Sequence, residues 1–149
     1  MNTLRHSKWI LALTAILFGF SLFAQEGAVR FAAADIYVDS KDKPLAAYQL
    51  EFSAPGGDVK ITGIEGGEHA AFSRPPYYDP KAMQQERVII AAFSTNKVDN
   101  LPAGKTRVAT IHFQVRGATP EFQVKLAVAA DAGGNKIPAE ASAQERKPK

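Results

Sequence analysis

The sequence predicts an all-β protein: a single antiparallel jelly-roll β-sandwich of about nine strands, preceded by a signal peptide. Three observations carry this prediction. Apolar residues recur at every second position over most of the chain beyond residue 27. Turns rich in glycine and proline separate these runs at short intervals. Stretches with helical period are scarce, and short alternating runs between turns are the mark of a sandwich or barrel.

The 149 residues suffice for one domain, and 46% hydrophobic content is globular rather than disordered. The chain has no cysteine. That excludes a disulfide framework, a thiolate zinc site, a cysteine nucleophile and a lipidated cysteine.

Residues 1–24 read as an address. Residues 1–8 (MNTLRHSK) hold Arg5 and Lys8 and no acid, and residues 9–24 (WILALTAILFGFSLFA) hold no charge. A basic start, an apolar run and a small final residue make a secretory signal, with cleavage expected after Ala24. An uncleaved membrane anchor is the alternative, although the run is shorter than the roughly 20 residues that span a bilayer. Without residues 1–24 the chain keeps 16 of its 18 bases and all 15 acids, so its net charge falls from +3 to +1. No basic stripe with interleaved aromatics remains, and nucleic acid is not an expected partner. The expected location is periplasmic or secreted.

The elements follow in order. Ala28 to Phe31 and on through Ile36-Tyr37-Val38 give one or two strands. Tyr48, Leu50 and Phe52 share a face opposite Gln49 and Glu51, and Val59 and Ile61 continue the style before Gly63. Val88 to Phe93 is apolar on both sides, which predicts a central strand covered on both faces. Ala109, Ile111, Phe113 and Val115 oppose Thr110, His112 and Gln114. Phe122, Val124, Leu126 and Val128 repeat the pattern. Pro55 to Asp58, Gly66-Gly67, Leu101 to Gly104, Gly117 to Pro120 and Asp131 to Asn135 are turns. A short helical turn is expected at Pro80 to Glu86. Residues 139–149 are polar and small, and are expected to form a flexible tail.

Catalytic chemistry is hard to find. His69 and His112 fit no metal-helix motif. Glu65, Glu68 and His69 in the run EGGEH offer carboxylate and imidazole, but in no recognised ligand spacing. Asp35, Asp39 and Asp42, and Asp99 with Asn100, could serve calcium, yet acids also mark turns for local reasons. Ser53, Ser73 and Ser94 lie in no Gly-x-Ser-x-Gly elbow. The paired glycines lack the helix and lysine of a phosphate loop. The chain is accordingly expected not to be an enzyme, and no metal or cofactor is assigned to it.

Residues 69–82 (HAAFSRPPYYDPKA) are the most unusual segment. Pro75 and Pro76 stiffen it, and Phe72, Arg74, Tyr77 and Tyr78 cluster around them. Rigid tyrosines and an arginine are common anchors of binding surfaces, so these four are the predicted partner-binding residues. The competing structural reading has the aromatics fold down and cap the sandwich, with one tyrosine in and one out.

Leu45-Ala46-Ala47-Tyr48-Gln49-Leu50-Glu51-Phe52 resembles the second strand of cohesin-type domains, with its small-small-aromatic-x-aliphatic-x-aromatic order. Val88 to Ser94, Leu101 to Gly104 and Thr106 to Val115 look like later cohesin strands, and the hairpin from Val128 to Pro138 is similar to theirs. The resemblance spans residues 28–138. It implies a nine-strand jelly roll related to bacterial cellulose-binding modules, non-catalytic and able to bind dockerin modules through one sheet face. The chain is expected to be a lone domain, and scaffold repeats, a wall anchor and a duplicated calcium loop are not read in its residues, so the family's partner-binding residues are not carried over. The expected role is an exported recognition module for another exported protein (dockerin-like or an envelope component) or a polysaccharide. The alternatives are a structural subunit of an envelope or secretion assembly and, behind it, a small hydrolase.

Overall fold

The computed structural model describes residues 27–147, so the signal segment read in residues 1–24 lies outside the described residues. Two antiparallel sheets of four strands make up the fold. The strands are β1 (Val29–Asp39), β2 (Ala47–Ser53), β3 (Asp58–Gly66), β4 (Tyr77–Tyr78), β5 (Arg87–Phe93), β6 (Lys105–Arg116), β7 (Gln123–Ala130) and β8 (Glu140–Glu145). One sheet runs β3-β6-β1-β8 and the other β4-β5-β2-β7.

The core follows from the two-residue period. Ile36 and Val38 of β1, Tyr48, Leu50 and Phe52 of β2, Ile61 of β3, and Ile111, Phe113 and Val115 of β6 are buried from both sheets. Phe122 closes one end by packing its ring 5.4 Å from Phe52 and 5.5 Å from Phe113. The Tyr48 hydroxyl donates to the Val108 carbonyl oxygen at 3.2 Å, so the one polar atom of this buried ring is satisfied. Burial pushes the Tyr48 hydroxyl well above its ordinary pKa.

Three expectations need correction. Among the described residues eight strands form where about nine are expected: after Ala130 the expected closing hairpin makes a single bridge to Lys136, its turn tied by Asp131, which accepts from the Gly133 and Asn135 amides at 2.9 Å each. β5 is not covered on both faces. Val88 and Ile90 point inward, but Ile89 is 45% and Phe93 62% exposed, because among the described residues nothing packs over the outer face of that sheet. Residues 140–145, expected as part of a flexible tail, form β8 against β1, with Ala141 and Ala143 set against the core.

β8 is pinned as well as paired. The Arg146 guanidinium donates to both Asp35 carboxylate oxygens, at 3.2 and 2.5 Å, and to Thr110 Oγ1 at 2.9 Å. Thr110, fully buried, donates its own proton to Asp35 Oδ1 at 2.9 Å and accepts from Arg107 at 2.9 Å. Burial disfavours the Asp35 carboxylate, but hydrogen bonds from Arg146 and Thr110 and the nearby arginine charges outweigh it, leaving its pKa below the ordinary range.

The sign of the pH effect follows. A depressed folded pKa contributes stability that is complete above the unfolded value of about 3.9 and is lost as pH falls through the folded pKa. Asp35→Asn is expected to cost about 1–3 kcal/mol at neutral pH, since it weakens charge-assisted bonds to Arg146 and leaves Thr110 poorly matched. It should also flatten the acid limb of stability below about pH 4. Urea unfolding across the acid range measures both; an unchanged acid limb would show that Asp35 does not carry it.

Candidate recognition surface

The segment from Gly66 to Asp79 is built on two glycines. A Cβ on Gly66 would stand 2.2 Å from the Ser73 carbonyl oxygen, and one on Gly67 would stand 2.2 Å from that of Arg107. Only glycine allows the chain to press this closely against both the returning loop and β6. The Gly67 amide donates to Phe72 O at 2.7 Å. Glu68 locks onto β6, its amide donating to Arg107 O and its carboxylate accepting from the Arg107 amide, both at 3.0 Å. His69 caps the 3-10 turn Ala70–Phe72, its Nδ1 accepting from the Ala71 amide at 3.1 Å.

The residues of the EGGEH run are thus directed to separate partners. Glu65 Oε1 lies 3.3 Å from His112 Nε2, without the alignment of a hydrogen bond. No group of three or more His, Asp or Glu side chains among the described residues is placed to hold a metal ion.

The four predicted contact residues divide. Phe72 must be corrected: it is 2% exposed and packs edge-on against Tyr48, ring centroids 5.3 Å apart. The tight Gly66-Gly67 turn drives it inward, and it can touch no partner. Tyr78 is half-buried against the core. Tyr77, one position earlier in β4, points the other way and is 71% exposed. Arg74 is exposed and makes no hydrogen bond or ion pair among the described residues.

Sheet register then assembles a surface around Tyr77. Tyr77 pairs with Ala91, Ala91 with Gln49, and Gln49 with Val128, in one row across the sheet. Phe93 is two positions along β5 from Ala91, its ring 6.2 Å from that of Tyr77 and tilted only 10° from it. Ile89 is two positions the other way. Of the seven large hydrophobic side chains exposed among the described residues, four (Tyr77, Ile89, Phe93 and Val128) stand on this outer face.

The far end of the face is charged. Arg87 pairs with Glu51 across β5 and β2, and Lys125 sits opposite Glu51 on β7. The hydrogen bond from Arg87 holds the Glu51 carboxyl below its usual pKa. One groove runs beside Tyr77 past Asp79, Lys81 and Ile89; another runs past Arg74, Phe93 and Asn96. Phe93, Ile89 and Gln49 were not singled out by sequence. For Ile89 and Phe93 the signal was the unbroken apolar run of β5, which looks the same whether its second face is covered by protein or left open; for Gln49 it was the outward place in the alternation of β2.

In comparisons with known proteins, no family model, no curated protein and no solved structure matches this chain.

Two stability predictions separate surface from support. Tyr77→Ala should change stability by no more than about 0.5 kcal/mol, whereas Phe72→Ala should cost about 3–5 kcal/mol. Comparable losses in chemical denaturation would mean that Tyr77 is part of the core. Gly67→Ala should lower stability by about 1–3 kcal/mol, because backbone must move to admit the methyl group. A melting temperature equal to that of the native sequence would count against the close approach.

Proposed function

We propose that this chain is an exported, non-catalytic recognition module, a jelly-roll sandwich of cohesin-like fold that binds another exported protein or a polysaccharide. The observation that carries the proposal is the pair of nearly parallel exposed rings, Tyr77 and Phe93, on an uncovered sheet face between two grooves. Large apolar side chains gathered on one face cost solvation unless a partner covers them, and gathered patches of this kind mark interaction sites. Aromatic rings gain from stacking on the apolar face of a sugar or in a protein interface, and Gln49 beside them offers both a donor and an acceptor for orientation. Two prolines before Tyr77 and the anchoring of Phe72 hold the ring in place beforehand, which lowers the entropic cost of binding. The export part of the proposal rests on the basic and apolar pattern of residues 1–24.

The test is retention of envelope and secreted proteins, and in parallel of insoluble polysaccharides, by the immobilised protein. A specific ligand should be retained by the native sequence. The double variant Tyr77→Ala with Phe93→Ala should lose it at least tenfold while its melting temperature stays put. Retention unaffected by the double variant would move the site elsewhere, and no retention of either class would overturn the recognition role.

A further inference from the structure

We infer that the groove between the Ala70–Phe72 turn and the end of β5 holds a carboxylate-bearing unit of an acidic, uronic-acid polysaccharide, with the Arg74 guanidinium on the carboxylate and Tyr77 and Phe93 against the sugar ring. This rests on the recognition reading above and narrows its ligand class.

Ala70 to Pro75 form one wall of the groove and Ala92 to Asn96 the other, and Tyr77 also lines it. Arg74 is the one charged side chain among the described residues that line it. The groove on the other side of Tyr77 differs, since Asp79, Lys81, Glu86 and Arg87 line it with both signs of charge.

Six arginines lie among the described residues, and the other five all have partners. Arg30 meets Glu145, Arg87 meets Glu51, Arg107 donates to Thr110, Arg116 meets Asp58 and Arg146 meets Asp35. Exposure does not explain the exception, because Arg30, Arg87 and Arg116 are exposed too. Arg74 keeps its planar fork of donors free, and that fork matches a carboxylate.

The root of this side chain is set in advance. A residue before proline is confined to extended backbone, so Pro75 restricts Arg74. Pro76 beyond it is buried, and Ser73 before it donates from Oγ to Ala70 O at 3.2 Å. Binding then has only the side chain itself left to order.

Much of the main chain on both walls is already engaged. The Ala71 amide donates to His69 Nδ1, the Phe72 amide to His69 O, and Phe72 O accepts from Gly67. Pro75 and Pro76 have no amide to give. Opposite them, the Ser94 amide donates to Ala46 O and the Asn96 amide to Ser94 Oγ. What stays open is side-chain chemistry. The Thr95 hydroxyl has no partner among the described residues, and the Asn96 side chain donates to Asn100 O at 3.4 Å, leaving its own oxygen as an acceptor.

These groups discriminate between ligand classes. An extended peptide binds largely through its main chain, and this groove has little main chain to meet it. A pyranose ring presents hydroxyls at its rim and C–H groups on its faces. Hydroxyl and amide side chains suit the rim, and the rings of Tyr77 and Phe93, tilted 10° from each other, suit the faces. A neutral sugar would leave Arg74 unused, whereas a uronic acid supplies its counter-charge.

The experiment titrates the whole protein by calorimetry with oligomers of galacturonic, glucuronic, mannuronic and guluronic acid, each beside its methyl ester. At least one acid should bind, its ester about tenfold more weakly. Arg74→Gln should bring the acid down to the level of the ester and leave the ester unchanged, with the melting temperature unaltered. Tyr77→Ala with Phe93→Ala should weaken acid and ester alike. Added salt should weaken the acid alone. Equal affinity for acid and ester, or an acid that ignores Arg74→Gln, overturns the inference. Oligoglutamate bound as tightly as the best sugar acid and lost with Arg74→Gln overturns the sugar as its source. Failure of every acid while another ligand is retained through Tyr77 and Phe93 overturns the inference and leaves the recognition role standing. No binding here together with no retention of envelope proteins or polysaccharides overturns both.

Discussion

Everything in this molecule hangs on the side chain of Tyr48. It rises from β2 in one sheet, and its hydroxyl reaches the Val108 carbonyl of β6 in the other. Its ring receives the edge of Phe72 from the loop. One residue thus joins both layers and the segment that carries the exposed tyrosine. The hydroxyl is what makes the position specific: a phenylalanine would fill nearly the same space but leave the Val108 carbonyl without this donor in a dry interior.

The surface inherits its order from that joint. With Phe72 anchored below and Pro75-Pro76 stiffening the chain above, Tyr77 has little freedom left to lose. β4 is only two residues long, yet this suffices, because its role is to set the parity that sends Tyr78 in and Tyr77 out. A strand one residue out of step would reverse the two rings and bury the exposed one.

Much of this was legible in the residues. The alternation of Tyr48, Leu50 and Phe52, and of Ile111, Phe113 and Val115, marks inward faces without reference to any neighbour. β8 was not legible. Its sequence alternates alanine with polar residues, a pattern too weakly apolar to declare a strand, and it is held by pairing with β1 and by the clasp from Arg146 to Asp35, 111 residues earlier in the chain. β5 misled for the opposite reason: an apolar run says that a strand can be buried on two faces, not that a second layer exists to bury it. In the loop, the residue types pointed to an anchored aromatic platform, but only the fit of Gly66 and Gly67 against neighbouring backbone decides that Phe72 is the anchor.

The order β3-β6-β1-β8 has a consequence in time. β1 finds both its neighbours far downstream: its first lies beyond residue 104 and its second beyond residue 139. A chain emerging from its amino end must hold this mostly apolar strand unpaired until nearly everything else has appeared. Such long-range closure makes folding slow and leaves the early chain open and pliable. That is a hazard for a protein that folds where it is made, and an advantage for one that must be threaded through a membrane first.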